Sequence, residues 1–297
     1  MQFTQVLSLL AAVSFSTGVD ALAVDTLAVR QNAAWQTLPP TPALPTPINT
    51  TLSRINGVDL WLQKYNEKAG GTPIVLDHGG LGYSAYFGDV IKQLVANKHY
   101  VVAVDRRGHG RSTYNTNDVF TFDMFANDIF AQLNQQGIKS YNVVGWSDGA
   151  ATTLAMLQNK TIAPGIKKAF IFAGFMVPED TNATFTSTDI YTEFVTRCSK
   201  EYATLQPKAD FSDFATKVGT LEATLPQFTT AGLRTIDGKK VAIVGADHDE
   251  AVNLNVPAKL SAAISGSTSV TLKDVSHFAP VQDPTQFTKA VEKFFAA

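Results

Sequence analysis

The chain has 297 residues, of which 45% are apolar and 17% charged, and a formal net charge of -2. That composition supplies a buried core and excludes a disordered chain, while the absence of a basic run excludes the electrostatic footprint of nucleic-acid or anionic-membrane binding. Cys198 is the single cysteine and cannot pair within the chain, so the fold must rest on packing.

The first residues contain an apolar run, Val6 to Val13, followed by the small-x-small signature Ala21-Leu22-Ala23. This pattern predicts a secretory signal over residues 1–23. The run is too short to span a bilayer, and no other stretch is long and apolar enough to do so. Residues 24–51 are expected to form a pro-piece or a Pro-rich arm, because five prolines between Leu38 and Pro47 hold the backbone extended. Three acceptor sequons, at Asn49, Asn159 and Asn182, fit a glycosylated secreted protein.

Residues 52–297 read as one α/β domain. The stretch "VDLWLQKYN" alternates apolar and polar residues like a half-buried strand. By contrast "TPIVLD", "HYVVAVD", "YNVVGW", "KAFIFAG" and "KKVAIVGA" are short apolar runs that suit strands covered on both faces. Helical patterns near Ser84 to Asn97, Thr121 to Gln136 and Ser147 to Asn159 separate them, which predicts a mostly parallel sheet. The rhythm stops over about 175–233, where helical segments carry many aromatics. That segment reads as a cap, and its Phe185, Tyr191, Phe194 and Phe214, together with Trp146, are expected to line a substrate pocket.

The strongest chemical signal is Gly145-Trp146-Ser147-Asp148-Gly149, a G-x-S-x-G placed between an apolar strand and a helix-forming segment. Ser147 is the expected nucleophile. A serine hydroxyl needs a neighbouring base, and of five histidines His277, just past the last predicted strand, is placed to return to it. His99 opens a strand and reads as a surface residue, and His109 sits in a turn-rich "RRGHGRS" that reads as structural. The base needs an orienting carboxylate, for which the loop "ADHDEA" offers Asp247 and Asp249; we favour Asp249. Backbone N–H groups of Gly80 and Asp148 are the expected oxyanion donors, the first in His78-Gly79-Gly80 after a strand, the second following the nucleophile.

In order and context, His78-Gly79-Gly80, the "DRRGHGRS" of Asp105 to Ser112, "GWSDG" and "SHF" resemble the α/β-hydrolase superfamily, over about Leu52 to the C-terminus. Within it the chain is similar to the esterase and C–C hydrolase branch, which includes ring-cleavage hydrolases and valacyclovir hydrolase-like enzymes. The resemblance implies an eight-stranded, mostly parallel sheet flanked by helices, a helical cap after the sixth strand, a Ser147, Asp249 and His277 triad, and neither cofactor nor metal. It points to hydrolysis of a small, apolar carboxylic ester through an acyl-enzyme. C–C, lactone or amide cleavage by the same residues is the alternative, and a binding protein without turnover the remote one. Two departures stand out: the family's usual position for the acid is His248 here, and Asp77 replaces an apolar residue before the His-Gly pair.

Overall fold

The computed structural model describes residues 33–206 and 208–297. The expected signal over 1–23 and the beginning of the pro-piece lie outside them. Strands β1 (Leu52–Ile55) and β2 (Val58–Tyr65) form a hairpin whose two-residue turn, Asn56-Gly57, has positive φ at both positions, 48° and 83°. Asn-Gly is the pair best suited to that primed turn, whose twist matches the strands it joins. Strands β3 (Ile74–Asp77), β4 (Val101–Asp105), β5 (Tyr141–Trp146), β6 (Ile166–Phe172), β7 (Val241–Ala246) and β8 (Thr268–Leu272) complete the sheet.

The sheet has eight strands in the order β1-β2-β4-β3-β5-β6-β7-β8. The β1/β2 and β2/β4 pairs are antiparallel, and every pair from β4/β3 to β7/β8 is parallel. β3, β4, β5 and β7 are buried at every residue, as their unbroken apolar runs require. Helices α1 (Gly88–Ala96), α2 (Phe122–Gln135) and α3 (Asp148–Gln158) follow β3, β4 and β5. Between β6 and β7 the cap contributes α4 (Asp189–Leu205), α5 (Phe211–Thr224) and α6 (Thr230–Leu233). α7 (Val256–Ala263) joins β7 to β8, and α8 (Ala279–Gln282) and α9 (Pro284–Ala296) close the chain. Because the central strands are parallel, the loops that leave β3, β5, β7 and β8 meet at one edge of the sheet, where ligand sites of open α/β sheets form.

One strand departs from its pattern. The alternation of β2 predicts one solvated face, yet only Asp59 and Lys64 are even partly exposed. The proline-rich arm covers the other face: Trp61 Nε1 donates to the Asn49 carbonyl at 2.7 Å, Gln63 Nε2 to the Pro47 carbonyl at 2.7 Å, and Asn49 N–H to Gln63 Oε1 at 2.7 Å. Residues 33–51 are therefore a docked strap rather than a free linker. Leu38 and Leu44 are buried in the core. Further along the strap, Arg197 of α4 donates to the carbonyls of Leu38 and Pro39, while Gln282 of α8 donates to the Thr37 carbonyl at 2.9 Å. The strap thus ties the cap to the loop that carries His277.

Candidate active site

Ser147 is the residue between β5 and α3, with φ 57° and ψ -117°, a conformation that a side chain adopts only under strain. Two glycines make the turn possible by close approach. A Cβ on Gly145 would lie 2.5 Å from Thr153 Oγ1, and one on Gly149 would strike the Asp77 carbonyl, so α3 could not pack this tightly against β5 and β3. A serine at a helix N-cap ordinarily spends its hydroxyl on a helix N–H, but in this backbone Ser147 makes no such bond. Its oxygen stays free to face the cavity.

His277 follows β8 and is buried, and its Nδ1 lies 3.1 Å from Asp249 Oδ1 and 3.3 Å from Oδ2. The Asp249 carboxylate is in turn fixed by the N–H groups of Ala251 at 3.0 Å and Val252 at 2.8 Å, both to Oδ1. Asp247 points elsewhere: its oxygens lie 3.7 Å from Lys273 Nζ and 3.9 Å from His248 Nε2, near the surface. His248 stacks on Trp35 of the strap, ring centroids 4.2 Å apart. Between the two favoured and unfavoured acids of the sequence, then, only Asp249 reaches the histidine. Glu250, which sequence reasoning missed, holds the same loop by accepting the His277 N–H and the Ser276 hydroxyl, each at 3.0 Å. Its only trace in the sequence is an acid-rich "DHDE" after β7.

The loop after β3 gives Asp77 an account. Arg106, fully buried, donates to Asp77 Oδ1 at 2.5 Å and to the carbonyls of His78 and Gly79. His78 Nδ1 lies 2.8 Å from the Gly79 carbonyl, and its Nε2 accepts the Arg106 N–H at 3.1 Å, which requires a neutral ring. Burial and the Arg106 charge hold the His78 pKa well below its ordinary value. Burial pushes Asp77 up to about 6 in spite of Arg106. The guanidinium thus braces the His-Gly-Gly turn from behind, leaving the N–H groups of Gly80 and Asp148 without a hydrogen-bond acceptor among the described residues. Arg106→Met strands a buried carboxylate and two carbonyls, and is expected to cost about 3–5 kcal/mol of stability in urea unfolding. Pairing it with Asp77→Leu should recover much of that loss; a single-variant loss under about 1 kcal/mol would show that Arg106 is no brace.

A cavity of about 140 Å³ opens at this edge of the sheet, and Ser147, His277, Gly80 and Asp148 all line it. Of the five expected pocket residues, Trp146, Phe185, Tyr191 and Phe194 line it as well. Phe214 does not, which corrects the sequence reading: it is fully buried, stacked on Tyr202 at 4.8 Å and edge-on to His109 at 4.8 Å. An aromatic on an amphipathic cap helix has two apolar environments open to it, and this one faces the interior beneath the cap. His109, with Nδ1 3.0 Å from the Arg107 carbonyl, belongs to that buried cluster and not to the cavity. His99 lies 3.0 Å from Glu292 of α9 and is partly exposed.

The sequon residues differ in setting. Asn182 lines the cavity, and its Oδ1 accepts the Thr184 N–H at 3.0 Å. Asn49 Nδ2, the atom a glycan would occupy, already donates to the Leu62 carbonyl at 2.9 Å. Asn159 Oδ1 accepts the Thr161 N–H at 2.9 Å. Among the described residues no helix is long and apolar enough to cross a membrane.

A family profile described as the alpha/beta hydrolase fold matches residues 72–189. Among solved structures, the chain is similar to a meta-cleavage product hydrolase from Pseudomonas fluorescens, with TM-score 0.69 and 16% identity over 84% of this chain and 98% of that one. It is similar also to an enol-lactonase from Burkholderia xenovorans, with TM-score 0.65 and 20% identity over 83% and 100% of the two chains. The profile match and these structural likenesses show that the chain has the α/β-hydrolase fold. A curated relative, the sn-1-specific diacylglycerol lipase ABHD11 of Xenopus tropicalis, is 32% identical over 117 residues, which are 38% of this chain and 35% of that protein. The chain therefore matches about a third of that relative's length.

Proposed function

We propose that this chain belongs to the α/β-hydrolases and is a serine esterase that cleaves small carboxylic esters through an acyl-enzyme. The observation that carries the reading is one arrangement: Ser147 on its strained turn shares a cavity with His277, whose Nδ1 faces the Asp249 carboxylate at 3.1 Å. With the Nδ1 proton directed at Asp249, the lone pair of the neutral ring is on Nε2, where it can take the Ser147 proton as the hydroxyl oxygen attacks the ester carbonyl. The N–H groups of Gly80 and Asp148 donate to the carbonyl oxygen as negative charge gathers on it. His277 then returns the proton to the leaving alcohol, and a water activated by the same nitrogen releases the acid. Trp146, Phe175, Phe185, Tyr191, Phe194 and Phe278 in the cavity wall favour an apolar substrate. A panel of p-nitrophenyl esters of graded acyl length tests the reading, with saturable turnover expected for at least the short apolar members; no turnover of any of them by folded protein would overturn it.

The base role fixes a pH dependence. Burial disfavours a charged His277, but the neighbouring Asp249 and Glu250 outweigh it and hold the pKa above its ordinary value. Neutral His277 is the active form, so kcat/KM should rise with pH, with a midpoint above the unperturbed value of about 6.5. Glu250→Gln should move the midpoint down. A limb centred at or below about 6.5 in the parent protein contradicts the assignment.

We propose further that the protein is exported and glycosylated, on the strength of the apolar run, the Ala21-Leu22-Ala23 signature and the sequons. Sequencing the N-terminus of protein collected from the medium should start at Val24, or beyond Arg30 if a pro-piece is trimmed. A terminus at Met1 overturns it.

A further inference from the structure

The proposed triad leaves two carboxyl groups beside the oxyanion donors unused. Asp148 is 1% exposed, and its Oδ2 has no hydrogen-bond partner among the described residues. Glu222, on α5 of the cap, reaches the same spot: a Cβ built on Gly80 would lie 2.5 Å from Glu222 Oε1 and 2.8 Å from Asp148 Oδ2. Both residues line the cavity with Ser147. One carboxyl belongs to the core and the other to the cap, so the closed arrangement of the two layers is what brings them together.

We propose that Asp148 and Glu222 hold a single negative charge between them and act as a specificity-determining charge filter, admitting esters that are neutral near the reacting carbonyl and rejecting those that carry a carboxylate there. The proposal rests on the esterase reading of this site. Two carboxylates converging in a space with little water cannot both ionise cheaply, and the pair titrates as a unit. Burial pushes Asp148 up to about 6, and burial together with the Asp148 charge pushes Glu222 well above the ordinary carboxylate range. The other charged and titratable groups that face the pair are Arg106 behind the oxyanion loop, which favours ionisation of both, Asp77 on the far side of Arg106, which interacts unfavourably with a charged Asp148, His277 beside Asp148, and Tyr191 of α4 beside Glu222. One charge is thus retained near neutral pH. A second carboxylate, brought in by a substrate, meets that charge in a poorly solvated wall, and the cations beside the pair among the described residues are already engaged, Arg106 by Asp77 and two carbonyls and His277 by Asp249.

The test compares p-nitrophenyl butyrate with p-nitrophenyl hemisuccinate, similar in length but differing in a terminal carboxylate. Rates are normalised to hydroxide-catalysed hydrolysis of each ester. The parent protein should prefer the neutral ester by about tenfold or more in kcat/KM, and the preference should widen as pH rises and the pair loses its proton. Glu222→Gln should cut that ratio several-fold and flatten its pH dependence. The ratio is read within each protein, so a loss common to both esters cancels. Asp148→Asn, which keeps the backbone N–H, interrogates the other member and serves if the first variant fails to fold. An unchanged ratio and pH dependence in the folded variants overturn the proposal. If the parent turns over neither ester, the esterase reading fails instead, and infrared difference spectra still judge the pair: parent minus Glu222→Gln should show a protonated carboxyl band near neutral pH, and its absence overturns the shared charge.

Discussion

Ser147→Ala is expected to lower kcat by a factor on the order of 10⁶, because without the hydroxyl no acyl-enzyme can form. What survives should be the contribution of binding and the oxyanion donors, about 10³–10⁴ over the uncatalysed reaction. The fold should be untouched. The Ser147 side chain caps no helix N–H, and the strained backbone belongs to the turn, not to the hydroxyl. Thermal unfolding within a few degrees of the parent, alongside the loss of turnover, is therefore part of the prediction. A folded Ser147→Ala protein with appreciable esterase activity would remove the nucleophile from the account.

Asp249→Asn is expected to reduce kcat by about 10⁴ at nearly constant volume. The Asn carbonyl can still accept from the N–H groups of Ala251 and Val252, so the loop keeps its shape. Its amide, however, donates towards His277 Nδ1 where the carboxylate accepts, which drives the ring proton to Nε2 and disables the base. It also leaves the imidazolium formed during attack unpaired. Asp247→Asn, whose carboxylate sits near Lys273 and His248, should leave kcat within a few-fold of the parent. Steady-state kinetics of the two variants side by side give the ranking. The reverse order would move the orienting role to Asp247.

What could be seen from the sequence divides along a physical line. Signals carried by a few adjacent residues were legible. The apolar runs of β3 to β7 are buried strands, and Gly145 to Gly149 could be placed at a strand-to-helix turn because the two glycines are needed there for close approach. Asn56-Gly57 turned β1 into β2 without having been singled out. Features that depend on distant segments meeting were not legible. β2 looked half-buried because nothing local announces that Pro47 and Asn49 will hydrogen-bond across its outer face. Phe214 and Phe194 both occupy apolar positions on cap helices, and only the packing decides that one faces the cavity and the other the interior. Asp77 and Arg106 are 29 residues apart, and each alone is an anomaly; the buried ion pair explains both. Glu222 looked like any polar residue on a helix, since its meaning depends on Asp148 and Gly80 across the cap.

The most direct test of the central claim is covalent labelling with a fluorophosphonate probe followed by peptide mapping. The reagent reacts with a serine only when a base and an oxyanion site act on it together, so it tests the arrangement and not just the residue. The account predicts stoichiometric modification of the peptide containing Ser147, at that residue, and strong suppression of labelling in His277→Ala. Folded protein that resists the probe, or that carries the label on another residue, would contradict it.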